Sequence, residues 1–293
     1  MEVTSPELRR FAEENPFRVH LDDEGPAPGD PLLGVYGGHL GIRRPSPSVV
    51  ANFVMTADGV TAFGSGGGEG AGAVSLHSAA DRYVMALLRS AADCVLIGAG
   101  TLRDDTRHQW TPATVMPGLA AELAAHRHRL TGQDGPAALV VVTSTGLLPE
   151  GHPALVRPDA RVLVLTTEAG EARLPRLHPS VRVVPLRASG GIPVDAILDS
   201  IRYQLGGTTV LCEGGARLFG KLVAAGRVDE LFLTLAPHIA GRSKAAVRPG
   251  LVTGVAFTPG STPRLALRSL RQCGDHLYVR YAVSAAPAEA PPV

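Results

Sequence analysis

The chain of 293 residues lacks several features that define whole classes of protein. Its 28 Lys and Arg balance 27 Asp and Glu, so the net charge of +1 provides no attraction for nucleic acid or an anionic membrane. The N-terminus has no basic stretch followed by an apolar core, and no run approaches the ~20 apolar residues of a membrane span. These absences predict a cytoplasmic protein whose partners are small molecules or proteins.

Cysteine and the common nucleotide-binding motifs are also scarce or missing. The three cysteines, Cys94, Cys212 and Cys273, are widely spaced, which is typical of buried thiols in a reducing compartment and predicts neither a disulfide framework nor a metal site. The three-glycine dinucleotide fingerprint and the Lys-Ser/Thr phosphate loop are absent. A standard Rossmann or nucleotide-triphosphatase fold is therefore disfavoured.

Short apolar runs alternate with helical patterns along most of the chain. Runs such as "DCVLIGAG", "ALVVVTS" and "TTVLCEGG" are apolar on both faces, as in central parallel strands, whereas "SAADRYVMALLRSA" and "PVDAILDSIRYQLG" have helical periodicity. This alternation predicts an α/β fold with a mostly parallel central sheet flanked by helices. The last two runs, joined at Cys273-Gly274-Asp275, predict an antiparallel hairpin at the sheet edge.

Composition divides the chain into three parts. Residues 1–47 are rich in Pro, Gly and acidic residues without sustained periodicity, so we expect a partly irregular N-terminal extension. Residues 48–283 carry the strand and helix patterns and predict one domain, and residues 284–293 predict a disordered tail. Within the domain, the glycine-rich stretch from Gly64 to Gly72 predicts a flexible loop that closes over a substrate.

Three predicted strand ends carry small or polar residues that suit a phosphate-containing ligand. In open α/β sheets, ligands bind beyond the carboxyl ends of the strands, where helix N-termini direct unpaired amides outward. For any one strand-Gly-helix junction, tight packing of the turn is an equally good interpretation. The candidate residues for cofactor binding are Gly98, Gly100, Thr101, Thr143, Ser144, Gly214, Gly215, Ala216, Arg217 and Leu218.

Three motifs in fixed order add a more specific indication. "VMTADG", "LLRSAADCVLIGAGTLRDD" and "LCEGGARLFGKLVAAGRVDELFLTLAPHIAG" resemble the reductase domain of the riboflavin-biosynthesis deaminase-reductase family, and in particular its stand-alone, actinobacterial-type members. The resemblance covers about residues 49–283. It implies a dihydrofolate-reductase-like fold, NADPH as cofactor, a homodimer, and reduction of the ribosyl group of a ribosylaminouracil phosphate.

The resemblance also implies roles for individual residues. It places cofactor contacts on Thr101, Asp105, Ser144 and residues 215–221, and substrate contacts on Arg89 and Glu213. A proton must follow the hydride, and Asp58, Glu213 and bound water are the candidates for supplying it. The structural alternatives are a turn before Gly59 for Asp58, pairing with a helix dipole for Glu213, and stabilisation of its own helix for Arg89.

Other polar residues leave alternatives open. His108 and Trp110, the single tryptophan, would stack on a substrate ring or protonate an imine, or belong to a surface loop with an anchoring aromatic. His126 and His128 lie in the basic segment "LAAELAAHRHRL" and predict a solvent-exposed helix face.

Departures from the family pattern concern the substrate. The stretch "DDTRHQWTP" lacks the usual proline after the two aspartates and has Pro112 where an arginine is usual, while Ala73 to Ser75 lack the usual Ser and Trp contacts. The His-x-Glu and Pro-Cys-x-x-Cys motifs of the zinc deaminase half are absent, so we expect no deamination. Two alternatives therefore stay open: a same-fold reductase of a dihydropterin, dihydrofolate or specialised-metabolite imine, and a catalytically silent nucleotide-binding module.

Overall fold

A computed structural model describes residues 5–27, 29–42, 47–64, 70–156, 161–188, 191–206, 209–244, 246 and 248–284. The strands are β1 (Arg18–Asp22), β2 (Ser48–Thr56), β3 (Cys94–Gly98), β4 (Ala138–Thr143), β5 (Val162–Thr167), β6 (Val181–Leu186), β7 (Thr209–Cys212), β8 (Glu230–Ala236), β9 (Arg264–Cys273) and β10 (His276–Ser284). The helices are α1 (Pro6–Glu14), α2 (Pro31–Tyr36), α3 (Gly70–Val74), α4 (Ala79–Ala91), α5 (Ala99–Asp104), α6 (Pro112–Val115), α7 (Ala120–Thr131), α8 (Glu168–Glu171), α9 (Val194–Leu205) and α10 (Ala216–Ala224).

The strands form one sheet in the order β1-β9-β10-β8-β2-β7-β3-β4-β5-β6. Strands from β8 to β6 run parallel to one another, whereas β10, β9 and β1 are antiparallel to their neighbours. The predicted mostly parallel sheet is confirmed. Because β2, β7 and β3 are adjacent and parallel, their carboxyl ends meet at one edge of the sheet.

The antiparallel end of the sheet contains the predicted hairpin of β9 and β10, in which Cys273 pairs with His276. One more strand lies outside it: β1, from the N-terminal extension, pairs with residues 269–272 of β9. The extension also contains α1 and α2, so residues 5–42 contribute regular elements to the sheet and its cover. The division of the chain at residue 48 stays a prediction, although β2 begins at that residue.

Buried ionic contacts hold the extension against the rest of the chain. Asp22 pairs with Arg271 of β9, whose guanidinium is fully buried and lies 3.9 Å from the centre of the Tyr36 ring. Asp30, at the start of α2, lies 2.7 Å from Nδ1 of His126 in α7. The predicted exposure of His126 is wrong, because α2 covers that face of α7 and buries the ring completely.

Two apolar layers lie on opposite faces of the sheet. Val50 belongs to the layer under α1, α2, α4 and α7, whereas its neighbour Ala51 belongs to the layer under α9 and α10. This alternation follows from the two-residue period of a strand. Cys94 and Cys212 are buried free thiols, and burial raises the pKa of Cys212 to about 12. In the described ranges, no helix is long and apolar enough to cross a membrane.

Candidate active site

Two helix N-termini lie side by side at the carboxyl edge of the sheet. Helix α5 begins after Gly98 at the end of β3, and α10 begins after Gly215, just beyond β7. The Gly98 amide donates a hydrogen bond to the Gly214 carbonyl, with an N to O distance of 3.3 Å. Among the described residues, no side chain caps either helix start, so the first amides are available to an anion.

The glycines of this junction are required by close approach and by backbone conformation. A Cβ on Gly214 would lie 2.6 Å from Oγ1 of Thr101, which is closer than such contacts occur. Gly215 has φ of +81°, in the left-handed region that side chains disfavour. The structure thus brings together Gly98, Thr101, Gly214 and Gly215, as the prediction of a cofactor site at this edge requires.

The first turn of α10 presents mainly backbone groups to the edge of the sheet. Arg217 is exposed, Leu218 packs into the core, and the Ala216 carbonyl accepts a hydrogen bond from the Thr253 amide at 3.1 Å. The Phe219 amide is the first to bond back into the helix, to the Gly215 carbonyl. The amides of residues 216–218 therefore precede the first intrahelical bond and face the edge of the sheet.

A buried ion pair lies directly beside these helix starts. Nη2 of Arg89 lies 2.6 Å from Oε2 of Glu213, and Nε lies 3.0 Å from each carboxylate oxygen. The side chains are 2% and 5% exposed. Nη1 of Arg89 donates to the Thr111 carbonyl at 3.2 Å. The two predicted substrate residues therefore contact each other, and Arg89 reaches across the site instead of stabilising the end of its own helix.

The loop from Asp105 to Thr111 forms the wall above this pair. Trp110 has φ of +52° and is 4% exposed. Its ring centre lies 5.0 Å from that of His108 and 5.9 Å from that of His152. Two imidazoles therefore pack beside Trp110, that of His108 nearly perpendicular to it, and His108 is the most exposed of the three rings, with 19% of its side chain exposed.

His108 is neutral over the ordinary pH range. Burial, the nearby Arg89 guanidinium and His152 lower the pKa of His108 to about 3. An imidazole with this pKa is a hydrogen-bonding group near neutral pH and carries no proton to deliver to an imine.

Asp58 lies at the end of β2, where it organises a different loop. Its carboxylate accepts hydrogen bonds from the Thr56 hydroxyl at 2.5 Å and from the amides of Ala240 and Gly241 at 3.0 and 2.7 Å. These donors hold the pKa of Asp58 well below its usual range, so the group is ionised. The structure does not bring Asp58 into contact with Arg89 or Glu213.

The remaining predicted cofactor residues border the junction. Oγ1 of Thr143 accepts from the Gly146 amide at 3.1 Å and so forms part of the β4 turn, while Ser144 is exposed. A Cβ on Gly100 would have Arg103 Nη2 as a neighbour at 3.9 Å, so the space around this glycine is open. Most of the predicted glycine-rich lid, residues 65–69, lies outside the described residues.

Comparison with known proteins identifies the family. The model of the family described as "RibD C-terminal domain" matches residues 47–279. The chain belongs to the RibD C-terminal domain family. It is 27% identical over 239 residues to the 2,5-diamino-6-ribosylamino-4(3H)-pyrimidinone 5′-phosphate reductase of Methanothermobacter thermautotrophicus. The alignment covers 81% of this chain and 98% of that protein. The resemblance predicted from the three motifs is confirmed.

Solved structures of RibD-type proteins share the fold. A pyrimidine reductase-like protein from Corynebacterium diphtheriae has 20% identity and a TM-score of 0.59, over 81% of this chain and 92% of that one. The deaminase and reductase of Thermotoga maritima has 20% identity and a TM-score of 0.60, over 81% of this chain and 57% of that one. The predicted dihydrofolate-reductase-like fold is confirmed.

One residue of this RibD C-terminal domain was missed by the motif reasoning. His152 lies between β4 and β5, 47 positions from Asp105, and its Nε2 lies 2.8 Å from the Asp105 carbonyl. The partner is a backbone atom, so no pairing of residue types signals the contact. Only the local "HPAL" pattern, a cap for the turn Pro153–Leu155, marks this histidine.

A cavity of about 340 Å³ lies at the other edge of the sheet, away from both helix N-termini. Its walls include Ser48 and Val50 at the start of β2 and Glu230 at the start of β8. In parallel α/β sheets, ligands bind at the carboxyl edge. The cavity is therefore not the candidate active site of this RibD C-terminal domain.

Proposed function

We propose that this chain is an NADPH-dependent reductase of a ribosylaminopyrimidine phosphate in the riboflavin pathway. The observation that carries the proposal is the position of the Arg89–Glu213 pair directly beside two uncapped helix N-termini. A substrate group and a dinucleotide phosphate then bind at neighbouring strand ends, as transfer between them requires. The name of the Methanothermobacter relative supports this substrate class.

The residues at the junction fit a dinucleotide. The amides of residues 216–218 suit a pyrophosphate, and the absence of side chains at Gly214 and Gly215 lets it approach the backbone. A reduced nicotinamide dinucleotide, when bound, supplies the reducing equivalent. Thr101 and Asp105 would contact it near α5. Gly98, Gly100, Thr143 and Ser144 would lie along it toward the adenosine end.

A preference for NADPH over NADH follows from the family resemblance. Nη1 of Arg103 donates to the Leu147 carbonyl at 2.8 Å, which places a guanidinium beside the turn that carries Ser144. A cation there suits a 2′-phosphate. Comparing the dissociation constants of the two cofactors tests this preference, and equal affinities would contradict it.

Glu213 is the group that we expect to meet the substrate. Its Oε1 accepts one hydrogen bond from Nε of Arg89 and retains a lone pair for a substrate hydroxyl or ring N–H. Since this carboxylate is ion-paired and Asp58 is ionised at a separate loop, we propose bound water as the proton source. Trp110 contributes to substrate binding through the wall that it forms with His108.

The first test is oxidation of NADPH, followed by absorbance, with the ribosylaminouracil phosphate and dihydrofolate in parallel. Turnover of the first compound supports the proposal. Turnover of dihydrofolate alone would favour the second candidate, a same-fold reductase of another heterocycle. The observation for that candidate is Pro112 at the position where the family pattern usually has an arginine, next to a wall formed by Trp110 and neutral His108.

The Glu213→Gln variant tests the site itself. We expect KM for the substrate to rise, or kcat to fall, by over ~10-fold, because the amide loses the charge that faces Arg89 and substrate. NADPH affinity should stay within about 2-fold of the wild type, since the pyrophosphate site is backbone. Unchanged kinetics would contradict a role for Glu213 in substrate binding.

A homodimer and a cytoplasmic location remain proposals from the family and the composition. Part of the edge that the hairpin would offer to a second copy is taken by β1 and by Asp23, whose amide donates to the Arg268 carbonyl, so pairing through this edge has to use β1 or residues 264–267. Light scattering on the purified chain measures the oligomeric state directly.

A further inference from the structure

The loop from Asp105 to Thr111 is held by one internal hydrogen bond and by two contacts from other parts of the chain. Within the loop, Oδ1 of Asp105 accepts from the His108 amide at 3.1 Å. At the far end, the Thr111 carbonyl accepts from buried Arg89. At the near end, the Asp105 carbonyl lies 2.8 Å from Nε2 of His152. These contacts fix both ends of the segment that joins the cofactor side to the substrate side.

The tautomer of His152 follows from its neighbours. Nδ1 accepts a hydrogen bond from the Ala154 amide at 3.1 Å, so Nδ1 carries no hydrogen. Nε2 therefore carries it and donates to the Asp105 carbonyl. His152 is 3% exposed, so water has little access to either nitrogen. Loss of the ring would leave a buried backbone acceptor without its donor.

The ring of His152 also meets Trp110. Their centres are 5.9 Å apart with an angle of 33° between the planes. Trp110 occupies the left-handed region at φ of +52°, which bulky residues rarely adopt. Such a conformation persists only where the surroundings enforce it. His152 thus contacts the loop at two points, the Asp105 backbone and the strained tryptophan.

We propose that His152 is a positioning residue for the reductase site. It holds the loop so that Asp105 stays at the end of α5 while the Thr111 carbonyl stays in reach of Arg89. His152 is outside the predicted ligand contacts and acts through Asp105 and Trp110. This inference rests on the proposed function, because its kinetic consequence is an altered affinity for cofactor and substrate.

Three substitutions separate the two contacts. His152→Ala removes both, His152→Gln retains a donor that can reach the Asp105 carbonyl, and His152→Phe retains a ring beside Trp110 without a donor. The matched control is His178→Ala, which replaces an exposed histidine in the loop between α8 and β6. Since the chain has a single tryptophan, its fluorescence and its quenching by acrylamide report on this loop alone.

We expect His152→Ala to raise KM for both NADPH and substrate by about 10-fold, with kcat changed by less than about 3-fold. Its tryptophan emission should shift to longer wavelength. His152→Gln should return KM to within about 3-fold of wild type, whereas His152→Phe should keep a raised KM with nearly wild-type emission. A role in stability alone would lower the melting temperature and leave KM unchanged, which would overturn the proposal.

The two proposals can fail separately. If the wild type turns over no compound tested, the proposed substrate is wrong, and NADPH titration of tryptophan fluorescence still gives a dissociation constant for each variant. A weaker constant in His152→Phe than in His178→Ala supports positioning in that case. If His152→Ala does not fold, the comparison of His152→Gln with His152→Phe decides, and equal KM values in these two would overturn the role of the hydrogen bond.

Discussion

At the scale of single residues, the Arg89–Glu213 pair dominates the site because it places two opposite charges where almost no water reaches them. Desolvation makes such a pair a poor source of net stability, but removing either partner would destabilise the fold strongly, because the other charge would stay buried and unpaired. The family pattern identified both residues, but their mutual contact was not foreseen. They lie 124 positions apart, and only the packing of α4 against the end of β7 brings them together.

Removing one charge should therefore destabilise the fold as well as stop the reaction. We expect Glu213→Ala to lower the free energy of unfolding by about 3–5 kcal/mol, because Arg89 stays buried without its partner. Chemical denaturation measures this. Replacing both residues with leucine should recover much of the loss and leave the enzyme inactive. The control is Asp195→Ala, which breaks an exposed pair with Arg227 and should cost less than about 1 kcal/mol.

His108 gives a prediction about pH. Its pKa of about 3 in the folded chain lies below the usual value near 6.5 in an unfolded one. Between these values the unfolded chain binds a proton that the folded chain does not, so stability falls as the pH decreases through this window. His108→Gln should reduce that slope, as measured by denaturation between about pH 4 and pH 7. A variant with the wild-type slope would show that His108 titrates normally in the fold.

At the scale of elements, the prediction from sequence succeeded where the periodicity was strong. The segment with helical periodicity, "SAADRYVMALLRSA", forms α4, and the Ser78 side chain caps this helix by accepting from the Asp81 amide. The buried strands β3, β4, β5 and β7 were visible as short apolar runs. Strand β1 was not, because most of its residues are exposed, and its hydrogen bonds go to a strand near the other end of the chain.

The junction of β7 and α10 tests the role of close packing. Gly214→Ala should weaken NADPH binding by about 10-fold or more, because the new methyl group collides with Thr101 and moves α5 away from α10. Calorimetric titration with NADPH measures the change. Gly34→Ala in α2 is the control, since a Cβ there has nothing within 4 Å, and helix propensity favours alanine. Equal affinity in both variants would argue against a cofactor at this junction.

At the scale of the whole molecule, the N-terminal extension is part of the sheet and of the cover over one face. Composition suggested an irregular segment because Pro and Gly interrupt it, and no local pattern reveals that Asp22, Asp30 and Tyr36 find partners in distant elements. Burial of these contacts depends on the assembled fold. For the same reason, the sequence did not show that His126 is covered.

Asp30 provides a test of this anchoring. Burial raises the pKa of its carboxyl. The hydrogen bond and charge of His126, the Leu33 amide and Arg129 together lower the pKa by more than burial raises it, to well below the usual range. Its contribution to stability is therefore complete above the unfolded pKa of about 4 and is lost as the pH falls below that value. Asp30→Asn should melt lower than wild type at neutral pH, and the difference should shrink in acid. Asparagine also caps helices well, so the difference reports on the ionic contacts.

The pairing of β1 with β9 has a consequence for how the chain acquires its fold. Asp22 and Arg271 lie 249 residues apart along the chain, so this contact closes a very long loop. During synthesis, the first strand has to wait until almost all of the remaining strands have left the ribosome. Folding should consequently be slow, with a high contact order, and the outer edge of β9 is exposed to other chains until the N-terminus returns to cover it.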